Sequence, residues 1–169
     1  MIPVWLTDTV TPNLGRALHY TQLWGLQGVE LRTVGGSDDR VPDVNEPQIR
    51  QQLEAGDFLL SSVVPALFSG PVHDRMMWLN DLAQLPEVLR FCQRMRCPRF
   101  VVDPFAATPD DPDTALDTAA DALRKAGEKA ADFDVLVGVK NDPASLCPTG
   151  QDLAVLLALV DHPNVRAVW

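Results

Sequence analysis

Charged side chains stand at the ends of three short apolar segments of this sequence. Glu30 and Arg32 belong to GVELR, Asp103 follows RFVV, and Lys140 ends LVGVK. Residues two apart on a β-strand face the same side, so Glu30 and Arg32 are predicted to share one face, as are Gly138 and Lys140. If the strands are parallel, they end at the same edge of their sheet. We therefore expect these four charged side chains to gather there.

Two non-catalytic interpretations of this charged cluster are open. In the first, its members form structural ion pairs that offset one another's desolvation, because buried charges must be paired. In the second, the cluster binds an anionic or polyhydroxy ligand through Arg32, Lys140 and Asn141. His73 joins this binding set, because it lies in the loop after the third apolar segment, on the side where the cluster is expected.

The third interpretation is catalysis without a metal ion. Once deprotonated, Lys140 would act as a base or form a Schiff base with a carbonyl substrate. A carboxylate beside it, either Glu30 or Asp103, would then be its proton partner. The candidate catalytic residues are therefore Glu30, Asp103 and Lys140.

The elements that must position these residues alternate along the chain. Apolar segments rich in Val, Leu and Phe predict β-strands at residues 2–6, 28–32, 58–64, 99–103, 135–140 and 165–169. Apolar residues at helical spacing predict helices at 13–24, 46–55, 86–95, 113–131 and 149–160, with a further short helix at 76–85. This alternation predicts right-handed βαβ units, a parallel sheet and a single domain over residues 1–169.

Composition limits the classes of partner. The chain carries 14 Lys and Arg residues against 23 Asp and Glu residues, a formal net charge of -9. Nucleic acids and anionic membrane surfaces both attract basic proteins, so neither is predicted as a partner. No segment reaches the roughly 18 apolar residues of a membrane span, and the N-terminus does not resemble a signal peptide. Three cysteines without a Cys-x-x-Cys motif favour a reduced, cytoplasmic protein.

Two α/β folds fit this order of elements. An open doubly wound sheet usually carries a glycine-rich phosphate loop after its first strand, and no such motif occurs here. The other fold is a (β/α)8 barrel. Six strands do not close such a barrel, which needs about 250 residues. The sequence therefore predicts a partial TIM barrel, (βα)5β, that lacks the last two βα units.

Three short motifs carry a family resemblance. The segments GLQGVEL at 25–31, LVGVKNDP at 136–143 and HPNV at 162–165 occur in the order and spacing of the sugar phosphate isomerase/epimerase family. The sequence resembles this xylose isomerase-like group of barrels, which also includes the endonuclease IV-like repair enzymes. The resemblance implies a relative that interconverts sugars or polyols by metal-assisted proton or hydride transfer.

The chain departs from this family at the metal site. The resemblance places Lys140 where the family has a metal-binding Glu on its fifth strand, and an ammonium group cannot ligate a metal. The next family carboxylate would fall just past Trp169, and the last two family strands have no counterpart here. We therefore expect no cofactor in this chain, although full-length relatives are expected to hold a divalent metal.

The functional expectation has two forms. The first is a divergent or partial sugar phosphate isomerase/epimerase-like protein that acts on or binds a sugar or polyol. The alternative is a non-catalytic protein that uses the barrel remnant for ligand binding or assembly. In both cases the two edge strands would leave backbone donors and acceptors unpaired, which predicts a homo-oligomer.

Overall fold

The computed structural model describes residues 2–36 and 39–168. Six β-strands form one sheet, namely β1 (Val4–Leu6), β2 (Gly28–Leu31), β3 (Leu59–Val63), β4 (Arg99–Val102), β5 (Leu136–Lys140) and β6 (Val165–Val168). The α-helices are α1 (Leu14–Leu23), α2 (Glu46–Ala55), α3 (Arg75–Met95), α4 (Ala115–Ala131) and α5 (Gly150–Val160). None of the described helices is both long and apolar enough to cross a membrane.

Each strand of the sheet is added on the same side of the preceding strand. All strand pairs are parallel, and the spatial order of the strands, β1-β2-β3-β4-β5-β6, is their order along the chain. Right-handed crossovers that always step the same way place every helix on the same face of the sheet. This arrangement confirms the predicted (βα)5β partial TIM barrel and excludes the doubly wound alternative, in which helices cover both faces.

Alternation along the strands separates the core from the opposite face. Val29 and Leu31 are completely buried against the helices, whereas Glu30 between them is only partly buried and faces the other way. On β5, Val137 and Val139 are likewise completely buried. Each fully buried aliphatic side chain contributes about 1.5–3 kcal/mol to folding, so this pattern fixes which face of each strand meets the helices.

Side-chain caps define where four of the helices begin. Asn13 and Asn45 accept hydrogen bonds from backbone amides in the first turns of α1 and α2, and Asp74 does the same for α3. Thr149 and Asp152 form a reciprocal capping box at the start of α5. These caps satisfy amide groups that have no partner within the helix, and each contributes about 1 kcal/mol.

Helix α3 corrects one sequence-based expectation. A helix starting at Pro86, with a separate short helix over 76–85, is wrong, because α3 runs without a break from Arg75 to Met95. Pro86 cannot donate to the carbonyl of Leu82, a loss that typically costs about 3 kcal/mol. Burial of an apolar stripe on both sides of the proline, including Leu82, Leu85 and Leu89, outweighs this cost.

The other predicted elements agree with the structure to within two residues at each described end. The predicted sixth strand ends on Trp169, which lies outside the described residues. Cys92, Cys97 and Cys147 are buried and free, as expected for thiols that pack as small apolar groups.

Candidate functional site

The face of the sheet opposite the helices opens into a cavity of about 1030 Å³. Much of its lining is apolar and comes from the strands themselves, with Val4, Leu59, Val101 and Val168 among the contributors. Arg96 and Arg99 enter the lining near the start of β4, and Glu30, Ser62 and Lys140 enter it toward the C-terminal ends of their strands. We call this end, bordered by Glu30, Asp103 and Lys140, the C-terminal mouth of the cavity.

Glu30 is oriented by a serine on the neighbouring strand. The pairing of β2 with β3 is regular up to Val29 and Leu60, but Glu30 then pairs with Ser62, so the register skips Ser61. This irregularity turns the Ser62 hydroxyl toward the carboxylate, and it donates a hydrogen bond to Oε2 of Glu30. Both side chains line the cavity.

Lys140 and Asp103 form an ion pair at the mouth. The distance from Nζ of Lys140 to Oδ1 of Asp103 is 3.4 Å, and both side chains are about two-fifths exposed, at 43% and 39%. An ion pair this open to solvent contributes at most about 1 kcal/mol, so either partner can be drawn away by a ligand at little cost. Lys140 also lines the cavity.

Arg32 is engaged by a carboxylate that sequence analysis missed. Its Nε and Nη2 atoms donate to the two carboxylate oxygens of Asp8 at 2.9 Å each, and Thr33 donates to Asp8 through its amide and its hydroxyl. Burial opposes the ionisation of Asp8, but the hydrogen bonds from Arg32 and Thr33 outweigh it and lower the pKa of this carboxyl. An aspartate two residues past the end of β1 was the available signal.

Arg40 is the second residue that sequence analysis missed. It lies between β2 and α2 and pairs with Thr33 in an isolated antiparallel bridge. Nη2 donates to the carbonyl of Pro65 at 3.4 Å, and Nε is buried without a partner among the described residues. Desolvation, together with the positive charge of Arg32, lowers the pKa of this guanidinium. No sequence pattern identified it, because the path of a loop of this length does not follow from its residues.

Two predicted ligand contacts lie outside the lining of the cavity. Nδ1 of His73 is 3.3 Å from Oδ1 of Asp111, which also accepts hydrogen bonds from Thr108. Nδ2 of Asn141 donates to the carbonyl of Pro148 at 3.4 Å. Contacts of His73 and Asn141 with a ligand therefore stay a prediction.

The structure brings most of the other predicted site residues together. Glu30 and Lys140 line one cavity, and Asp103 contacts Lys140. Arg32 is directed to Asp8 rather than into the cavity. The catalytic and binding roles assigned to these side chains from the sequence stay predictions.

The carboxylates at the mouth do not fit a divalent cation. Within residues 2–36 and 39–168, no three His, Cys, Asp or Glu side chains are grouped so that they could hold a metal ion. Asp103 faces an ammonium group, and Glu30 accepts a hydrogen bond from a serine hydroxyl. A cation placed between these carboxylates would be repelled by Lys140.

Comparison with known proteins identifies the fold family. The model of the family described as xylose isomerase-like TIM barrel matches residues 18–169. No curated protein matches the chain significantly.

Three solved structures share the fold. A xylose isomerase-like TIM barrel protein from Mycobacterium smegmatis, in complex with magnesium, has a TM-score of 0.74 and 14% identity and matches 98% of this chain and 63% of its own. The 3-keto-D-glucoside 4-epimerase YcjR from E. coli has a TM-score of 0.75 and 16% identity, and the match covers 99% of this chain and 67% of the epimerase chain. The D-psicose 3-epimerase with D-tagatose from Clostridium cellulolyticum H10 has a TM-score of 0.79 and 12% identity, and the match covers 99% of this chain and 62% of the epimerase chain.

The chain thus spans about two thirds of the length of these structures or slightly less. Identities below 20% show a shared fold and carry no information about substrate. The family model matches nearly the whole chain, and the six parallel strands follow the order that such a barrel requires. The chain therefore belongs to the xylose isomerase-like TIM barrel family.

Proposed function

We propose that this chain binds a sugar or polyol at the C-terminal mouth, as a divergent member of a sugar isomerase/epimerase-like group. One observation carries the proposal: Glu30, Ser62 and Lys140 line a cavity that Arg96 and Arg99 also line and whose remaining lining is largely apolar. A sugar presents hydroxyl groups that both donate and accept hydrogen bonds, together with apolar ring faces. The carboxylate would accept, the ammonium would donate, and the apolar strand residues would pack against the ring.

A binding titration tests this proposal. Addition of neutral sugars and polyols to the chain is expected to shift the NMR signals of Glu30, Ser62 and Lys140 in a saturable way. The variant Ser62→Ala removes the hydroxyl that orients Glu30 and is expected to weaken binding by about 5- to 10-fold. Thr118→Ala serves as the control, because it removes a hydroxyl from a partly exposed position of α4, away from the cavity lining. Shifts that do not saturate, or that are unchanged in Ser62→Ala, would contradict the proposal.

A catalytic role of the same residues is a second candidate, favoured by the closeness of Lys140 and Asp103. The Nζ atom of Lys140, after losing a proton to a carboxylate, would attack the carbonyl carbon of an open-chain sugar and form an imine with loss of water. Borohydride would reduce this imine to a stable secondary amine. Mass spectrometry is expected to find the adduct on Lys140, and its absence there would leave ligand binding as the function.

The edges of the sheet support assembly. Within residues 2–36 and 39–168, β1 and β6 each have one neighbouring strand, so both are edge strands. Pairing of edges between copies would satisfy free backbone groups, so we propose that the chain forms a homo-oligomer. Sedimentation is expected to give a mass above 18.6 kDa. A monomer at all concentrations would count against assembly.

Composition supports the remaining assignments. A net charge of -9 argues against nucleic acid and anionic membranes as partners. Three buried free thiols are compatible with the reducing cytoplasm, which we propose as the location. The mismatch between Lys140 and a cation supports a chain that holds no metal of its own. Fluorescence microscopy of the tagged protein tests the cytoplasmic location, and metal analysis of the purified protein tests the absence of a bound metal.

A further inference from the structure

Two ion pairs form at the mouth, whereas Arg96 and Arg99, which line the cavity near the start of β4, form no ion pair among the described residues. Asp8 neutralises Arg32, and Asp103 neutralises Lys140. Glu30 keeps a negative charge inside the cavity, where its described side-chain partner is a serine hydroxyl. On the rim, the opposite charge left without a carboxylate partner among the described residues belongs to Arg40.

The backbone holds Arg40 at this rim. Besides the bridge to Thr33, the amide of the next residue, Val41, donates to the carbonyl of Arg32 at 3.0 Å. The guanidinium reaches across to Pro65, two residues past the end of β3. Its pKa responds to the charges of Arg32, Asp8 and Asp103, so it lies within electrostatic range of the mouth. Its position is therefore fixed by main-chain contacts, and no carboxylate of the described residues forms an ion pair with its guanidinium.

The described residues use only a small part of the hydrogen-bonding capacity of Arg40. A guanidinium has five N–H donors, and the described residues accept one long hydrogen bond from it, at 3.4 Å. Arg32, only eight positions earlier, shows the contrasting state, because both of its bonds to Asp8 are 2.9 Å. A half-buried guanidinium with few partners is stabilised by an arriving oxyanion, which can accept two parallel hydrogen bonds from it.

We propose that Arg40 anchors an oxyanion of the ligand, so that the sugar or polyol bound at the mouth is an acidic one. This inference rests on the proposed function and narrows its substrate class. The carboxylate or phosphate group would lie at Arg40 on the rim, and the hydroxyl groups would reach Glu30 and Lys140 inside the cavity. Arg40 is then a residue that determines specificity, because its positive charge at the rim selects acids despite the net charge of the chain.

Three ligands with the same six-carbon polyol skeleton test this assignment. D-Glucitol is neutral, D-gluconate carries a carboxylate, and D-glucitol 6-phosphate carries a phosphate. NMR titration of the full chain is expected to show at least one acid binding about 10-fold more tightly than glucitol, the gain of one good charge-assisted contact. The acid that gains more identifies whether a carboxylate or a phosphate is the natural oxyanion.

Substitution of Arg40 separates this inference from the proposed function. Arg40→Gln is expected to abolish the preference for acids and to leave the affinity for glucitol unchanged. Arg40→Lys is expected to retain part of the preference, because it keeps the charge but loses the planar pair of donors. Arg16→Gln, on the exposed side of α1, removes the same charge and is expected to change nothing.

Equal binding of glucitol and both acids to the unsubstituted chain would overturn the role of Arg40 and leave the proposed function standing. So would an acid preference that survives in Arg40→Gln. Failure of all three ligands to bind would overturn both proposals together.

Discussion

The Nζ atom of Lys140 lies 3.4 Å from Oδ1 of Asp103, so an ammonium from β5 and a carboxylate that follows β4 neutralise each other at the mouth of the cavity. This pair decides what the mouth attracts. A carboxylate at position 140 would leave two negative charges side by side, a combination that attracts a divalent cation. With Lys140 in place, the same position contributes a hydrogen-bond donor and repels cations.

The first prediction reverses this charge. Lys140→Glu is expected to bind Mn²⁺ about 10-fold more tightly than the unsubstituted chain, because two adjacent carboxylates provide hard oxygen ligands. Isothermal titration with MnCl₂ measures the difference. Lys125→Glu is the matched control, since Lys125 also pairs with an aspartate but lies on the exposed surface of α4. Stoichiometric divalent metal in the purified, unsubstituted protein would show that Lys140 does not exclude a cation.

The alternation of apolar and charged residues made much of the site predictable. Val29 and Leu31 had to face the helices, so Glu30 had to face the cavity, and the ends of parallel strands had to bring Asp103 near Lys140. Asp8 and Arg40 escaped prediction because both lie beyond strand ends, where no periodicity fixes the direction of a side chain. The continuous helix α3 was not predicted because Pro86 disfavours a helix locally, and the burial that offsets this cost comes from tertiary packing.

The second prediction concerns the ion pair between Asp8 and Arg32. Asp8→Asn leaves Arg32 without its carboxylate and is expected to lower the free energy of unfolding by about 2 kcal/mol at pH 7. The pKa of Asp8 is lowered in the folded state, so its stabilisation is present above the usual Asp pKa of about 4 and is lost as pH falls through the folded value. Urea unfolding from pH 7 to pH 2 measures this loss.

The control for Asp8 is Asp110→Asn, which makes the same charge change at an exposed loop position. It is expected to alter stability by less than about 0.5 kcal/mol at pH 7. A difference between Asp8→Asn and the unsubstituted chain that persists below the folded pKa would show that the ionised carboxylate is not the source of the stability.

The third prediction concerns Asp81, whose pKa moves in the opposite direction. This buried residue of α3 accepts a 2.8 Å hydrogen bond from the amide of Phe68, which has a left-handed backbone with φ of 56°. Asp81→Ala leaves this amide unsatisfied and is expected to cost about 1–3 kcal/mol. Asp81→Asn keeps an acceptor oxygen and is expected to cost less at pH 7.

The pH dependence distinguishes these two variants of Asp81. Burial raises the pKa of Asp81, opposed by the Phe68 hydrogen bond, so ionisation disfavours the folded state. The unsubstituted chain therefore gains stability as pH falls through the raised folded pKa, and Asp81→Asn lacks this gain. We therefore expect the free energy of unfolding of Asp81→Asn, relative to that of the unsubstituted chain, to be higher at pH 7 than at pH 5, as measured by urea unfolding. A higher relative stability of Asp81→Asn at pH 5 than at pH 7 would show that the pKa of Asp81 is not raised in the folded state.

The fourth prediction tests the packing beneath Lys140. Gly138 lies between neighbouring strands on the cavity face, and a Cβ atom there would be 2.5 Å from Cγ2 of Val168 and 3.2 Å from Cγ2 of Val101. Gly138→Ala is therefore expected to cost about 1–3 kcal/mol. In a Val168→Ala background the first contact disappears, so the same substitution should cost less. Gly15→Ala on α1 adds a methyl group in ordinary contact range and is expected to be neutral or stabilising. Equal costs of Gly138→Ala in both backgrounds, measured by urea unfolding, would mean that Val168 does not set the close approach of β5 and β6.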